Sequence, residues 1–199
     1  MDFFLDSAET QAISKFHELG MIDGVTTNPS LIYKSKKPFR ELVTDICEIT
    51  KGPVSVEAIS NSNEKMVEEG FELAKIASNV VVKLPMTWEG IKACKMLSKN
   101  KVPVNVTLCF SSTQAILAAK AGATYISPFI GRLDDSNLDG TKLIREIRTI
   151  YTNYGFTTKI LAASIRTKNH ITQSAIAGAD IATIPPNLFH GLAHHHLTD

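Results

Sequence analysis

Four side chains with the chemistry of nucleophilic and acid–base catalysis lie within or directly after short apolar segments. They are Lys83, Asp6, Glu57 and Thr107. Lys83 lies in the valine-rich run of residues 80–84, where burial imposes a desolvation penalty that favours the neutral amine. A neutral amine is the nucleophile that Schiff-base formation requires, and carboxylates with a hydroxyl can move protons around an imine. The set therefore predicts covalent catalysis through Lys83.

Three members of this set also have a simpler interpretation. Lys83 can be a strand-end lysine whose ammonium group reaches water at the end of its aliphatic stem. Asp6 can be the N-cap of a helix, and Glu57 can be a surface carboxylate. The occurrence of all four at comparable positions favours catalysis over these separate structural roles.

A second set of residues is suited to binding a phosphate group. Arg132 and Arg166 follow the sixth and seventh apolar segments, and Ser164 lies two residues before Arg166. Guanidinium groups bind a phosphate monoester in a bidentate manner, and a hydroxyl adds a further hydrogen bond. Surface ion pairs are the alternative, because Asp134 and Asp135 lie close to Arg132 in the chain. We predict that the three residues bind phosphate.

The elements that must position these residues alternate along the chain. Short β-branched or apolar runs predict eight strands. Their residues are Phe3–Leu5, Val25–Thr27, Val54–Glu57, Val80–Leu84, Val102–Thr107, Thr124–Ser127, Lys159–Ala163 and Asp180–Ile184. Segments whose apolar residues have the spacing of an α-helix lie between most of these strands. Asn61 and Glu64 predict a capping box, Ser111 or Ser112 predicts the cap of a helix that stops at Gly122, and a longer helix is predicted to end at Gly155.

Alternating strands and helices predict parallel pairing through right-handed crossovers, and eight such units can close into a barrel. We therefore expect one compact (β/α)8 TIM barrel domain over residues 1–199, with its C-terminal helix shortened or absent. An open doubly wound sheet is the alternative. It would be expected to have a glycine-rich turn after its first strand, where this sequence has Asp6–Glu9.

Side chains two residues apart on a strand share a face, and functional groups of a barrel collect at the carboxyl ends of its strands. Several predicted strands end in polar pairs of this spacing: Thr26 with Asn28, Ser55 with Glu57, Asn105 with Thr107, and Ser164 with Arg166. The sixth strand contributes Ser127 with Phe129. These residues are predicted to meet at one mouth of the barrel.

The composition narrows the class of protein. Of the 199 residues, 44% are hydrophobic and 21% charged, as in an ordinary globular domain. Lys and Arg number 21 against 20 Asp and Glu, and no basic run is present, so we expect no nucleic-acid partner. The acidic start and the absence of an apolar stretch of about 20 residues argue against a signal peptide or a membrane partner. We expect a soluble cytoplasmic protein that acts on small molecules.

Cysteines and histidines form no metal or disulfide pattern. Cys47, Cys94 and Cys109 are far apart and contain no C-x-x-C pair, which favours free thiols in a reducing compartment. The adjacent histidines at 194–196 lack a companion acid, so we interpret them as a solvated tail and predict no metal site. Trp88 is predicted to be a packing or rim residue.

Six segments, in order along the chain, resemble those of one enzyme family. They are Asp23–Leu31, Val81–Gly90, Asn105–Leu108, Ser127–Asp135, Ala163–Arg166 and Gly178–Asp180. The first is similar to the amino-terminal motif of transaldolases, and the second is similar to their active-lysine motif. The resemblance covers nearly the whole chain and is to the small transaldolase group, which also contains the fructose-6-phosphate aldolases.

The resemblance implies a role for each matching residue. Lys83 would form the Schiff base, and Asp6 would act as acid and base on the hydroxyl whose deprotonation breaks the carbon–carbon bond. Glu57 and Thr107 would hold the water that shuttles protons. The implied substrate-binding residues are Thr27, Asn28, Ser55, Asn105, Ser127, Phe129, Arg132, Ser164 and Arg166. Within that set, the two asparagines would contact dihydroxyacetone hydroxyls, and Arg132, Ser164 and Arg166 would hold the phosphate.

The reaction implied by the resemblance is reversible transfer of a dihydroxyacetone unit between sugar phosphates in the pentose phosphate pathway. The donor would be sedoheptulose 7-phosphate or fructose 6-phosphate, and the acceptor glyceraldehyde 3-phosphate or erythrose 4-phosphate. The chemistry needs no metal or organic cofactor.

Two positions favour the transaldolase branch of the group. Fructose-6-phosphate aldolases resemble this chain but carry Gln in place of Glu57 and Tyr in place of Phe129. A carboxylate accepts and returns a proton where an amide cannot, and a phenyl ring leaves an enamine less accessible to protonation. An aldolase that releases free dihydroxyacetone, a non-catalytic sugar-phosphate binder and a metal-dependent epimerase remain as alternatives. The epimerase would need histidine ligands at strand ends, which this sequence lacks.

The resemblance also implies a homo-oligomer. Small members of the group assemble into rings, often decamers, in which the C-terminal helix packs against a neighbour. Here only Pro185–Asp199 follow the last predicted strand, where relatives continue into a further helix. We expect either a truncated chain or a natural protein without that helix, so a decamer or pentamer is implied by the resemblance alone.

Overall fold

The computed structural model describes residues 1–199, and its eight strands pair in parallel around a closed barrel. The strands are β1 (Asp2–Asp6), β2 (Gly24–Thr26), β3 (Val54–Glu57), β4 (Val80–Pro85), β5 (Val104–Cys109), β6 (Tyr125–Pro128), β7 (Lys159–Ala162) and β8 (Ile181–Ile184). Each strand pairs with the next, and β8 pairs with β1 to close the barrel, placing Leu5 opposite Ile184. The predicted (β/α)8 TIM barrel is confirmed.

Ten helices accompany these strands. They are α1 (Thr10–Glu18), α2 (Pro29–Lys34), α3 (Phe39–Ile49), α4 (Asn63–Ala74), α5 (Trp88–Lys99), α6 (Ser112–Ala121), α7 (Ile130–Asp135), α8 (Gly140–Tyr154), α9 (Lys168–Ile176) and α10 (Pro186–His190). A helix in every connection between consecutive strands provides the crossover that parallel pairing requires. Two connections carry a second helix, α2 after β2 and α7 after β6.

The ends of α6 and α8 follow from local chemistry. Ser111 is the N-cap of α6, where its hydroxyl accepts the Gln114 N–H at 3.3 Å. The helix ends at Gly122, whose φ of 89° lies in the left-handed region that glycine adopts without a steric cost. Gly155 ends α8 in the same way, with a φ of 63°. These predicted boundaries are confirmed.

The predicted capping box at the start of α4 is wrong. Ser62, rather than Asn61, is the N-cap, and its hydroxyl accepts the Lys65 N–H at 3.5 Å. Ser62 has the extended backbone conformation that an N-cap takes, so the helix begins at Asn63. The Glu64 side chain accepts a hydrogen bond from the Asn63 amide instead of returning to the cap.

The barrel interior changes from apolar to polar along the strands. An apolar cluster contains Phe4, Val81, Tyr125, Leu161, Ala163 and Ile181. Two residues further along β1, β4, β6 and β8, the same face carries polar side chains: Asp6, Lys83, Ser127 and Thr183. The main hydrophobic core lies on the other side of the sheet, between strands and helices. The strands therefore direct their polar residues to one mouth of the barrel.

The last helix, α10, is short and packs on the start of the chain. Its Phe189 ring lies 4.7 Å from the Phe16 ring centroid and 5.8 Å from that of Phe3. With five residues, α10 agrees with the expectation of a short helix after the last strand. None of the helices is both long and apolar enough to cross a lipid bilayer.

Candidate active site

A cavity of about 430 Å³ opens at the carboxyl ends of the strands. Predicted site residues on its wall are Asp6, Asn28, Lys83, Thr107, Ser127, Phe129, Arg132, Ser164 and Arg166. Side chains at this end of a (β/α)8 barrel form the functional site in characterised enzymes of the fold. Most of the strand-end positions singled out in the sequence thus meet in one cavity, whereas Ser55, Glu57 and Asn105 do not line it.

Lys83 is the buried cation of this cavity. β4 carries it into the barrel, where the residue is 6% exposed. Its Nζ lies 2.9 Å from Glu57 Oε2 and donates a hydrogen bond to the Thr27 carbonyl oxygen at 3.1 Å. Glu57 is directly opposite Lys83 in the β3–β4 register. The amine is therefore buried in contact with a carboxylate that can accept its proton.

Glu57 reaches Lys83 without lying on the wall of the main cavity. It faces a smaller neighbouring cavity of about 330 Å³, between β3 and the segment that contains α2. Its side chain is 18% exposed, so Glu57 is not a free surface carboxylate. Its position behind Lys83 suits proton exchange with the amine.

Asp6 lies at the end of β1 on the cavity wall. The Thr26 hydroxyl donates to Asp6 Oδ1 at 2.8 Å, and the two residues are opposite each other in the β1–β2 register. Burial raises the pKa of Asp6 above its ordinary value, because desolvation outweighs the Thr26 hydrogen bond and the positive charge of Lys83. Asp6 is not a helix cap, since Glu9 takes that position in α1. A carboxyl group with a raised pKa is suited to taking up and returning a proton.

Thr107 and Leu108 reach the same wall because β5 is irregular there. The β5–β6 register shifts between Val106 and Cys109, and Leu108 has a φ of 60°. Adjacent residues of a regular strand would face opposite sides, but a bulge re-aims one of them. The buried Thr107 hydroxyl has no hydrogen-bond partner within the protein. It is therefore available to a water or substrate in the cavity.

A hydrogen-bonded chain of side chains crosses the barrel interior. The Ser127 hydroxyl donates to Asn105 Oδ1 at 2.8 Å, and Asn105 Nδ2 donates to Ser55 Oγ at 3.1 Å. All three residues are buried, but only Ser127 lies on the cavity wall. The structure thus places Ser55 and Asn105 behind Ser127, where they can orient its hydroxyl.

The prediction that placed Thr27 in the site is not supported by its side-chain position. The Thr27 hydroxyl donates to the Ser55 carbonyl and does not line the cavity, whereas Thr26 does. Side chains alternate between the two faces of a strand, so Thr26 and Asn28 share the face that lines the cavity. Thr27 lies between them and faces the opposite side. The remaining cavity residues that the sequence reasoning missed are Ser30, Leu108, Leu161, Ala163 and Thr183.

The phosphate-binding residues predicted from the sequence lie on two segments. Arg132 is in α7, where its guanidinium carbon lies 5.3 Å from the centroid of the Phe129 ring. Ser164 and Arg166 lie between β7 and α9, and Arg166 forms an ion pair with Asp135. The alternative of surface ion pairing is therefore wrong for Arg132, which forms no salt bridge, but correct for Arg166, which pairs with Asp135.

The other chemically interesting residues lie outside the cavity. All three cysteines are buried, and burial raises the pKa of Cys47 and Cys94 to about 11 and that of Cys109 to about 12. They are therefore poor nucleophiles, as predicted. The histidines at 194–196 are exposed, and no group of three or more His, Cys, Asp or Glu side chains has a metal-binding arrangement. Trp88 is 68% exposed at the start of α5, so it is not a packing residue of the core.

The fold and the cavity define a (β/α)8 barrel with a buried lysine–carboxylate pair at its mouth. A thiamine phosphate pyrophosphorylase from Pyrococcus furiosus shares the fold, with a TM-score of 0.66 and 14% identity over 96% of this chain and 93% of that chain. The chain belongs to the transaldolase/fructose-6-phosphate aldolase family, whose model matches residues 3–199. The resemblance inferred from the six sequence segments is thus confirmed.

Relatives in this family are similar over the full length of the chain. A probable transaldolase of Roseobacter denitrificans is 61% identical over all 199 residues, which span 92% of that protein. A probable transaldolase of Dinoroseobacter shibae is 58% identical with the same coverage. These relationships support an aldolase-type enzyme.

Proposed function

We propose that this protein is a transaldolase that works through a Schiff base on Lys83. The observation that carries the proposal is the buried contact of Lys83 Nζ with Glu57 Oε2 at 2.9 Å, at the wall of a cavity that also contains Asp6. The nucleophile, its proton acceptor and a second carboxyl group are then present within one site. The names of the relatives agree with this activity.

Imine formation uses Lys83, Glu57 and Thr107. Glu57 takes a proton from the Lys83 ammonium group, and the free amine adds to the ketone carbonyl of a ketose phosphate. A proton moves from the added nitrogen to the alkoxide oxygen, through a water held by the Thr107 hydroxyl, and gives a carbinolamine. Its hydroxyl leaves as water after it receives the proton from Glu57. The nitrogen lone pair forms the C=N bond, so the product is a protonated imine.

Carbon–carbon cleavage uses Asp6. The Asp6 carboxylate takes the proton of the C4 hydroxyl, the electron pair of the C3–C4 bond moves into the iminium, and an aldose phosphate leaves. A three-carbon enamine remains on Lys83. A second aldose phosphate is then attacked by the enamine carbon, and Asp6 returns its proton to the new hydroxyl oxygen. The raised pKa of Asp6 suits it to hold the proton between these steps.

Substrate binding follows from the positions of the remaining wall residues. Arg132, Ser164 and Arg166 bind the phosphate of the sugar at one side of the mouth. Asn28 caps α2 through its Oδ1, which accepts the Leu31 N–H at 3.0 Å, so its amide NH₂ is the group left to contact a sugar hydroxyl. The Ser127 hydroxyl, held by Asn105, lines the same cavity.

Borohydride trapping tests the covalent step. Incubation with fructose 6-phosphate and sodium borohydride should reduce the imine and leave a stable three-carbon adduct, which peptide mass mapping should locate on Lys83. A Lys83→Met variant should give no adduct, whereas Lys120→Met, which removes a lysine on α6 outside the cavity, should be labelled like the wild type. An unmodified wild-type protein, or an adduct on another lysine, contradicts the mechanism.

An assay with and without an acceptor aldehyde distinguishes a transferase from an enzyme that only cleaves the sugar phosphate. Glu57 and Phe129 favour transfer, because the first supplies a carboxylate at the imine and the second adds no hydroxyl to the cavity wall. With fructose 6-phosphate alone we expect at most one equivalent of glyceraldehyde 3-phosphate, and with erythrose 4-phosphate added we expect continuous turnover. Continuous release of dihydroxyacetone without an acceptor would instead identify an aldolase.

The substrates and the assembly of the protein are part of the proposal. Sedoheptulose 7-phosphate or fructose 6-phosphate as donor places the enzyme in the pentose phosphate pathway. We also propose a homo-oligomer, on the basis of the family resemblance. Size-exclusion chromatography with light scattering measures its mass directly, and a monomeric mass contradicts the assembly.

A further inference from the structure

The predicted phosphate-binding residues belong to two chain segments that must be held together. Arg132 lies in α7, whereas Ser164 and Arg166 lie in the loop between β7 and α9. The backbones meet where the Gly131 N–H donates to the Ser164 carbonyl at 3.1 Å. This contact fixes Ser164 but does not reach Arg166. Another contact must therefore hold Arg166 in register with α7.

His170 makes that contact from the first turn of α9. Its Nδ1 accepts the backbone N–H of Arg166 at 3.3 Å, and its Nε2 lies 2.9 Å from Asp134 Oδ2 in α7. Because Nδ1 acts as an acceptor, the ring proton lies on Nε2, which donates to Asp134. The imidazole thus bridges the two segments in its neutral form.

Both ends of this bridge are anchored. The second oxygen of Asp134 accepts the Gly140 N–H at 3.0 Å, which ties the carboxylate to the start of α8. The backbone N–H of His170 donates to the Thr167 hydroxyl that caps α9, at 3.1 Å. The His170 side chain is 14% exposed. A largely buried imidazole between two fixed partners can transmit the position of α7 to Arg166.

The side-chain contact of Arg166 holds the residue less firmly than the bond between its backbone N–H and His170. Its guanidinium pairs with Asp135, but both side chains are about half exposed. Exposed ion pairs of this kind contribute little and are readily exchanged for another anion. A substrate phosphate can therefore replace Asp135 on the guanidinium while the His170 bond continues to hold the backbone.

We propose that His170 is a positioning residue for phosphate binding: it joins Asp134 of α7 to the Arg166 backbone and so keeps Arg132 and Arg166 at the spacing that a phosphate requires. His170 does not line the cavity and takes no part in the bond-forming steps. The inference rests on the proposed function of the cavity as a sugar-phosphate site. It adds the connection that aligns the two arginines.

Steady-state kinetics of His170 variants test the proposal. His170→Ala should raise KM for fructose 6-phosphate and the inhibition constant of inorganic phosphate by about tenfold, the loss expected for one buried hydrogen bond to a functional group. Turnover at saturation should change by less than about twofold, because the residue does not touch the reacting atoms. His195→Ala, which removes an exposed histidine of the chain end, should leave both constants unchanged.

Two conservative variants separate positioning from general stability. The side-chain oxygen introduced by His170→Asn can occupy the place of Nδ1 and accept the Arg166 N–H, but it does not reach Asp134, so phosphate affinity should recover only in part, to about threefold below the wild type. His170→Gln places its amide near the position of Nε2 and should recover the Asp134 contact only. If His170→Ala does not fold, these two variants provide the comparison. Unchanged phosphate affinity in all variants, or a loss in turnover alone, overturns the proposal.

The result can be distinguished from failure of the proposed function. Binding of inorganic phosphate to the wild-type protein, measured by calorimetry, does not depend on turnover, and borohydride trapping does not depend on His170. If the wild-type protein forms the Lys83 adduct and the His170 variants bind inorganic phosphate as tightly as the wild type, this inference alone is contradicted. A wild-type protein that forms no adduct contradicts the proposed reaction.

Discussion

Asp6 is a carboxyl group whose hydrogen bond from Thr26 offsets only part of its desolvation. Its pKa is raised above the ordinary value of 3.8, so the folded protein binds this proton more tightly than the unfolded chain does. The resulting contribution to stability is complete below the unfolded pKa and is lost as the pH rises through the folded pKa. At neutral pH, ionised Asp6 therefore destabilises the fold.

Replacing Asp6 with Asn should raise stability in a pH-dependent manner. The amide carries no charge to desolvate, so the melting temperature of Asp6→Asn should exceed that of the wild type at pH 7.5 by more than at pH 4. The variant should lose transfer activity at both values. The check is thermal unfolding followed by circular dichroism.

Asp139 provides the matched control for this prediction. It caps α8 and is exposed, and hydrogen bonds from Thr141 and Lys142 lower its pKa. Its stabilising contribution is present above the unfolded pKa, so Asp139→Asn should destabilise more at pH 7.5 than at pH 4. Parallel pH trends in the two variants would contradict the assignment of burial as the cause at Asp6.

Phe129 presents a ring without a hydroxyl to the cavity. A Phe129→Tyr variant adds a phenol that can hold and activate water beside the enamine, so protonation of the enamine should compete with the acceptor aldehyde. We expect more dihydroxyacetone released from fructose 6-phosphate without acceptor. The product ratio with and without erythrose 4-phosphate measures the change.

Phe110 is the corresponding control for the added phenol. Its ring packs against Phe129 at 5.8 Å, yet it does not line the cavity. Phe110→Tyr should leave the product ratio as in the wild type. An unchanged ratio in Phe129→Tyr would count against the role of residue 129 at the water site.

The two segments after β6 and β7 approach so closely that glycine is required between them. A Cβ on Gly131 would lie 2.1 Å from the Ser164 carbonyl oxygen and 3.1 Å from Arg166 Nε. Ser164 itself has a φ of 59°, a left-handed conformation that a residue with a Cβ adopts at a cost of about 1–2 kcal/mol. The geometry of the predicted phosphate site thus depends on a backbone contact that admits no additional atom.

Gly131→Ala should separate these segments. We expect a loss of about 1–3 kcal/mol in the free energy of unfolding, as for overpacking of a closed contact, together with weaker inhibition by inorganic phosphate. Urea denaturation and phosphate inhibition measure the two effects. Gly191→Ala is the control, because the nearest atom to a Cβ there is 3.5 Å away and its φ is negative. Equal effects of both variants would contradict the argument.

The strands and helix ends that could be predicted from the sequence are those that neighbouring residues determine. Apolar runs marked all eight strands, and the cap at Ser111 and the stop at Gly122 marked α6, because each signal lies within a few residues of the structure it causes. The irregularity of β5 was not predictable, since Leu108 is an ordinary strand residue with no glycine to indicate a positive φ. It depends on how β5 pairs with β6.

The same limit applies to the candidate site. Strand-end position was enough to select Lys83 and Asp6, because barrel topology brings every strand end to one mouth. The pairing of Arg166 with Asp135 joins residues 31 apart in sequence. Whether Asp135 pairs with Arg166 or with the nearby Arg132 depends on the orientation of α7, which the sequence does not indicate. The role proposed for His170 depends on the same packing, and no periodicity in the chain indicates it.

At the scale of the whole molecule, the chain end stabilises the chain start. Phe189 of α10 is 7% exposed and packs against Phe16 of α1 and Phe3 of β1, next to the β1–β8 pairing that closes the barrel. This aromatic cluster covers the junction between the first and last units. Its loss should therefore affect the stability of the closed barrel as a whole.

Phe189→Ala should lower the free energy of unfolding by about 3–5 kcal/mol, the range for removal of a buried aromatic side chain. Leu197→Ala, at a position that is 81% exposed, should have little effect. Denaturant titration followed by fluorescence and circular dichroism gives both values. A similar small change in the two variants would show that α10 does not support barrel closure.

Arg132 stacks over the ring of Phe129, and both residues lie on the wall of the candidate cavity. The face of an aromatic ring attracts a guanidinium, so the electronics of the Phe129 ring affect the Arg132 guanidinium, whose carbon lies 5.3 Å from the ring centroid. Phe129, which we propose to favour transfer over cleavage, is therefore also a support for an arginine of the proposed phosphate site. Substitutions at 129 and 132 should therefore have non-additive effects on phosphate binding.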